Sequence, residues 1–175
     1  MFGLFKRHEV EMSPEVRGRI TNGDKPVAGI EVVRSLMYEG YEKGKEQKEY
    51  ALTDTKGRFS FEKRIIKSQL PGDMFGANMP VMQSIYIEKD DPKDQDDHYY
   101  FLWSTSKSWR SIPPLSELML QLNADLQNKE VKHLIDASAF KGQQQHVVSS
   151  ICHWQGELIS TYYKNEPITS YDEIT

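Results

Sequence analysis

An all-β sandwich is the fold that this 175-residue sequence predicts, on three features. Short β-branched and aromatic runs alternate with polar residues at period two, as Phe59 and Phe61 do against Arg58, Ser60 and Glu62. Clusters of Gly, Asn, Asp and Pro separate those runs where turns are needed. Only the stretch around 115–126 also fits a helical period, so one short helix is the most that the pattern accommodates.

Residues 1–13 read as an N-terminal arm in which Val10 and Met12 alternate with Glu9 and Glu11 as an edge strand, closed by Ser13-Pro14. In the first core strand, 16–21, Val16 and Ile20 share a face, and Gly18 between them leaves a gap where another backbone can approach. Asn22-Gly23-Asp24 supplies turn chemistry, Pro26 fixes the entry to a second strand over 29–37, and further strands are expected at 48–54 and 58–64. Between the last two, Asp54 is placed to accept backbone N–H groups and Gly57 to take the left-handed position of a hairpin turn.

The segment 38–49 reads as a long solvated hairpin tip, and 70–80, with two prolines, two glycines and two methionines, as an irregular cap on the sandwich end, a binding surface of soft Met and Phe side chains being the alternative. Strands at 84–88 and 99–105 flank an acidic loop. Over 115–126 both periods fit, and a strand at 118–126 is the reading a sandwich favours. Strands at 131–135, 147–153 and 157–163 complete a single domain over 14–163, followed by a loose tail, 164–175.

Val16-x-Gly18-x-Ile20, the Pro26-x-x-Gly29-x-x-Val32 step and Thr53-Asp54-x-x-Gly57-x-Phe59-x-Phe61 together resemble the carboxypeptidase regulatory-like, transthyretin-like domains, over about residues 14–65. The resemblance implies a Greek-key sandwich used for attachment or stability, and it is nearly silent on function, because its motif residues are turns and core positions. The whole chain also resembles a bacterial family sharing a Met-Phe-Gly-Leu-Phe-like start and the Ser-Leu-x-Tyr-x-Gly-Tyr segment, here 35–41. Transthyretin-like sandwiches include a purine-pathway hydrolase ending in Tyr-Arg-Gly-Ser. This chain ends Ser170-Tyr171-Asp172-Glu173-Ile174-Thr175, so that activity does not carry over.

A net charge of −4 argues against a general nucleic-acid binder, which needs clustered Lys and Arg. Cys152 is the only cysteine, so no internal disulfide forms. With no apolar run of membrane-spanning length and Lys6, Arg7 and His8 interrupting the start, the expected location is the cytoplasm, away from membranes.

The chemistry-bearing residues do not group. His98, His133, His146 and His153 show no spacing that sets two imidazoles on one face, so neither a metal nor another cofactor is expected. Cys152 and His153 are neighbours and on a strand would point to opposite faces, while Cys152, Ser150 and Val148 fall in step as core. No catalytic residue is assigned, and a non-enzymatic protein is expected.

What remains is a surface. Between 88 and 98, Glu88, Asp90, Asp91, Asp94, Asp96 and Asp97 outweigh Lys89 and Lys93, a local charge of −4 equal to that of the whole chain. Calcium is disfavoured because the Asp-x-Asp-x-Asp-Gly spacing is missing. Tyr99 and Trp103 beside the loop, with Trp109, Tyr38 and Tyr41 in other loops, are candidate anchors of a protein contact. The expected function is that of a protein-binding module, most concretely an immunity or inhibitor protein neutralising a bacterial toxin with a basic groove, such as a nuclease. A carbohydrate- or surface-attachment module using exposed Trp103 or Trp109 is the alternative, with a hydrolase third; the sequence leaves the oligomeric state open.

Overall fold

In the computed structural model, which describes residues 6–175, fourteen strands and one α-helix are formed: β1 (His8–Ser13), β2 (Val16–Asn22), β3 (Lys25–Pro26), β4 (Glu31–Met37), β5 (Gln47–Leu52), β6 (Arg58–Phe61), β7 (Arg64–Ser68), β8 (Val81–Glu88), β9 (Tyr99–Lys107), α1 (Pro113–Met119), β10 (Leu122–Asp125), β11 (Val131–Ile135), β12 (His146–Ser150), β13 (Ile159–Tyr163) and β14 (Glu166–Ile168). Residues 1–5 of the expected arm lie outside the described residues.

The strands make an all-β sandwich. Eight of them form one large sheet in the order β14-β13-β11-β12-β9-β8-β4-β5. A small sheet is centred on β2, with β10 along one edge and β6 and β3 along the other, and β1 pairs with β7 as a separate ribbon. All pairings are antiparallel except β10 with β2.

Period-two alternation decides which side of the large sheet is covered. Val32, Arg34 and Leu36 of β4, and Val81, Gln83, Ile85 and Ile87 of β8, share the inner face. The main core brings Val32, Ile85, Ile87, Leu102, Trp103 and Val148 against Val16, Ile20, Phe59 and Phe61 of the small sheet, with Leu115 and Met119 of α1 at the side. A second core sets Val10, Met12 and Ile66 of the ribbon on Leu36, Val81 and Tyr38. Each such side chain contributes about 1.5–3 kcal/mol by leaving water.

Arg34 stands where the two cores meet. Its guanidinium donates from Nε to Glu49 Oε2 at 2.8 Å and from Nη1 to the Glu62 carbonyl at 2.7 Å, and it lies 4.9 Å from the centre of the Phe61 ring. Burial pulls its pKa down, and the Glu49 partner opposes that pull. One cation therefore fastens β4, β5 and the β6–β7 corner together.

Two glycines act as the sequence requires. A methyl on Gly18 would sit 2.3 Å from the Leu122 carbonyl oxygen, so its missing side chain is the space that β10 occupies. Gly57, at φ 75°, closes the β5–β6 turn, where Asp54 Oδ1 accepts the N–H groups of Lys56 and Arg58.

The structure corrects four expectations. The strand expected at 118–126 is helix α1 to Met119 and strand only at Leu122–Asp125. Pro113 and Pro114 suit a first helical turn, and Leu115 and Met119, four apart, are both buried. The tail expected to be loose carries β14 and a 3-10 turn, Tyr171–Ile174, held by a Ser170–Glu173 capping box with Ile174 buried. The tip expected to be solvated from residue 38 begins with a buried Tyr38. In the 70–80 connection, expected to pack down, Met74 and Phe75 are 83% and 88% exposed.

Candidate functional site

The acidic loop is the tip of the β8–β9 hairpin, closed where the Lys89 N–H donates to the His98 carbonyl at 2.9 Å. Asp97 is answered from within: its carboxylate pairs with Lys89, whose hydrogen bond holds the Asp97 pKa below the usual carboxylate range. Lys89 also lies 4.6 Å from the centre of the Tyr100 ring, so it is spent at the loop base. Glu88, Asp90, Asp91, Asp94 and Asp96 are exposed, and none of them enters an ion pair among the described residues.

At the foot of this loop the outer face of the large sheet carries aromatics. Tyr50, Val33, Tyr86 and Phe101 are successive cross-strand partners over β5, β4, β8 and β9. Tyr99 follows, with ring centres 4.6 Å from Tyr86 and 5.7 Å from Phe101. Such pairs add about 0.5–1.5 kcal/mol beyond area burial and fix the rings in place. The small sheet and the ribbon both lie on the inner face, which leaves Tyr50 60% exposed on the outer one. Lys48 borders the patch at the Tyr86 hydroxyl, a contact that raises the lysine pKa.

Not all of the aromatics expected here arrive. Strict alternation would set Trp103 beside Tyr99, but β9 has one residue too many opposite β8: Ile85 pairs with Trp103 while Tyr86 pairs with Phe101. This bulge at Leu102 turns Trp103 inward, where it is fully buried. Tyr38 is equally buried, and Tyr41 and Trp109 pack on the second core, Trp109 with the His8 ring 5.7 Å away and Arg110 over it at 4.7 Å. That core lies at the opposite end of the eight-residue β8, about 23 Å from the loop. Trp103, Tyr38, Tyr41 and Trp109 are therefore not part of the loop surface, and Trp103 offers no face for stacking on a sugar.

Cys152 and His133 are committed to hydrogen bonds within the core. Cys152 is buried, its thiol donates to the Leu102 carbonyl at 3.6 Å, and burial pushes its pKa up to about 12. His133, pushed down to about 4 by burial, faces the Cys152 carbonyl through Nε2 at 3.0 Å and Thr161 Oγ1 through Nδ1 at 3.2 Å. His153 stacks on Tyr171 at 3.9 Å. Among the described residues no three His, Cys, Asp or Glu side chains converge to hold a metal ion.

A family model described as "Domain of unknown function (DUF6795)" matches residues 16–129. The chain belongs to the DUF6795 family. The segment that carries the family runs from β2 through the turn after β10, so it contains both the acidic hairpin and the aromatic row, while β11 to β14 lie beyond it. No curated protein and no solved structure matches this DUF6795 chain. None of its described helices is long and apolar enough to cross a membrane.

Tyr50 and Phe101, with the buried Tyr86 between them, are residues of this face that the sequence pattern does not single out. The available signal was Tyr50 and Leu52 alternating with Glu49 and Ala51 on a strand, a pattern that names a face without saying which face is bare.

Proposed function

We propose that this chain is a non-enzymatic protein-binding module, most concretely an immunity or inhibitor protein that occupies the basic groove of a bacterial toxin. The observation that carries the reading is the adjacency of five exposed carboxylates, none in an ion pair among the described residues, to a sheet face that presents Tyr50 and Tyr99. The carboxylates steer a cationic partner and the rings anchor it once it has docked. That the cysteine and the buried histidine are already bonded supports a role without turnover. A single buried free thiol is in keeping with a cytoplasmic location. The turn chemistry at Asp54 and Gly57 supports reading residues 14–65 as a carboxypeptidase regulatory-like unit.

The test takes a partner recovered by affinity capture and measures its binding, as purified protein, to two variants. Neutralising Asp90, Asp91, Asp94 and Asp96 to Asn is expected to slow association by tenfold or more and to flatten its salt dependence. Tyr99→Ala is expected to speed dissociation. Unchanged kinetics in both would remove this surface from the function.

A further inference from the structure

The outer face of the small sheet carries the opposite charge. Arg58 of β6 and Arg19 of β2 are direct cross-strand partners, and Asn123 of β10 continues the row on the other edge. One step along, Arg17 opposes Ser60. All of these side chains are exposed, and with Leu120 and with Leu52, at the end of the edge strand β5 of the large sheet, they line a cleft of about 530 Å³.

Like charges directly opposite one another in an antiparallel pair destabilise it. The relief that the protein offers is partial: the Asp54 carboxylate acts on Arg58 through space without a direct ion pair. Arg17 has Glu15 at 2.6 Å, but among the described residues neither Arg19 nor Arg58 enters an ion pair. Arg19 Nε donates to the Lys56 carbonyl at 3.0 Å, and Asp54, the acid of this cleft, is taken up by the backbone N–H groups of Lys56 and Arg58. A chain with a net charge of −4 thus keeps two guanidinium groups side by side, neither in an ion pair among the described residues. Opposed residues have Cβ atoms about 5 Å apart, close enough for two forks to bracket one tetrahedral anion. Leu120 and Leu52 supply an apolar wall beside them, 42% and 67% exposed.

We propose that this cleft binds a small phosphate monoester, with Arg19 and Arg58 gripping the dianion, Asn123 and Ser60 donating to its remaining oxygens, and an apolar body lying on Leu52 and Leu120. The planar guanidinium pair selects a multivalent oxyanion, and the cleft volume is that of a small-molecule site.

Calorimetric titration with phenyl phosphate tests it. Saturable one-to-one binding is expected, weakened about tenfold or more in Arg19→Gln and in Arg58→Gln, and unchanged in Lys132→Gln, which removes the same charge from the opposite outer face. Benzoate, a monoanion, is expected to bind at least tenfold more weakly than phenyl phosphate. Without ligand, Arg58→Gln is expected to raise the melting temperature by relieving the repulsion. The proposal is overturned by absence of saturable heat, by equal weakening in Lys132→Gln, by benzoate matching phenyl phosphate, or by a lower melting temperature in Arg58→Gln.

Discussion

The indole N–H of Trp103 donates to Gln83 Oε1 at 3.0 Å, and Gln83 Nε2 donates onward to the Met12 carbonyl at 2.8 Å. A buried tryptophan requires a partner for its N–H, and this one doubles as a tie between β8 and β1. Gln83→Leu would strand a donor and an acceptor together in the core, each worth about 1–3 kcal/mol. Urea unfolding is expected to show a loss of roughly 2 kcal/mol or more; a loss below about 0.5 kcal/mol would mean that the pair carries no stability.

Gly18→Ala tests the parallel pairing. The added methyl would press on the Leu122 carbonyl and, at 2.5 Å, on the Phe59 ring. The ring can turn aside, but β10 can relieve the contact only by moving its backbone. A destabilisation of about 1–3 kcal/mol is expected, with faster amide exchange confined to β10 and β2. Uniform exchange across the whole chain would place the damage elsewhere.

Asp125 should govern the acid limb of the stability profile. Burial works against its ionisation, yet the N–H groups of Asp24, Gln127 and Gly23 and the Thr21 hydroxyl hold its pKa down at about 2. Because the folded value lies below the unfolded one of about 3.9, the stabilisation is complete above pH 4 and is lost as pH falls toward 2. In Asp125→Asn the unfolding free energy should be lower at pH 7 and its decline between pH 4 and pH 2 shallower. An unaltered decline would assign that limb to other carboxylates.

His133 should act in a higher window. Burial, opposed by the hydrogen bond to the Cys152 carbonyl, keeps the folded imidazole neutral down to about pH 4, whereas the unfolded chain takes up the proton near pH 6.5. Stability is therefore full above about pH 6.5 and falls as the pH drops toward 4, by about 2 kcal/mol from pH 8 to pH 5. His133→Gln should remove most of that slope. His146, also held low by burial, accounts for a further part. A slope as steep as that of the native protein in His133→Gln would sink the assignment.

Short-range chemistry made much of this fold legible in advance. The turns at Gly57 and Asp54, the core faces of β2 and β6 and the exposed acidic hairpin depend on neighbours in sequence, and they stand where the pattern puts them. Alternation alone misplaces Trp103, because the bulge at Leu102 is a property of two paired strands and no pattern within β9 discloses it. The exposure of Tyr50 is hidden for a similar reason. Which side of a sheet is covered depends on where the small sheet and the ribbon dock, and no local period encodes that. At 113–126 both periods were present in the sequence, and the structure uses them one after the other.

The pairing of β2 with β10 joins residues about 100 positions apart, and Asp125 latches onto Gly23 and Asp24 across the same distance. During synthesis β2 emerges roughly 5–20 s before its parallel neighbour exists. For that interval one side of β2 is an open strand edge, with Gly18 unshielded and Ile20 lacking its cover. Newly made chains are thus most exposed to mispairing and to chaperone capture at this edge, and folding is complete only after a slow, long-range closure that the local hairpins cannot hasten.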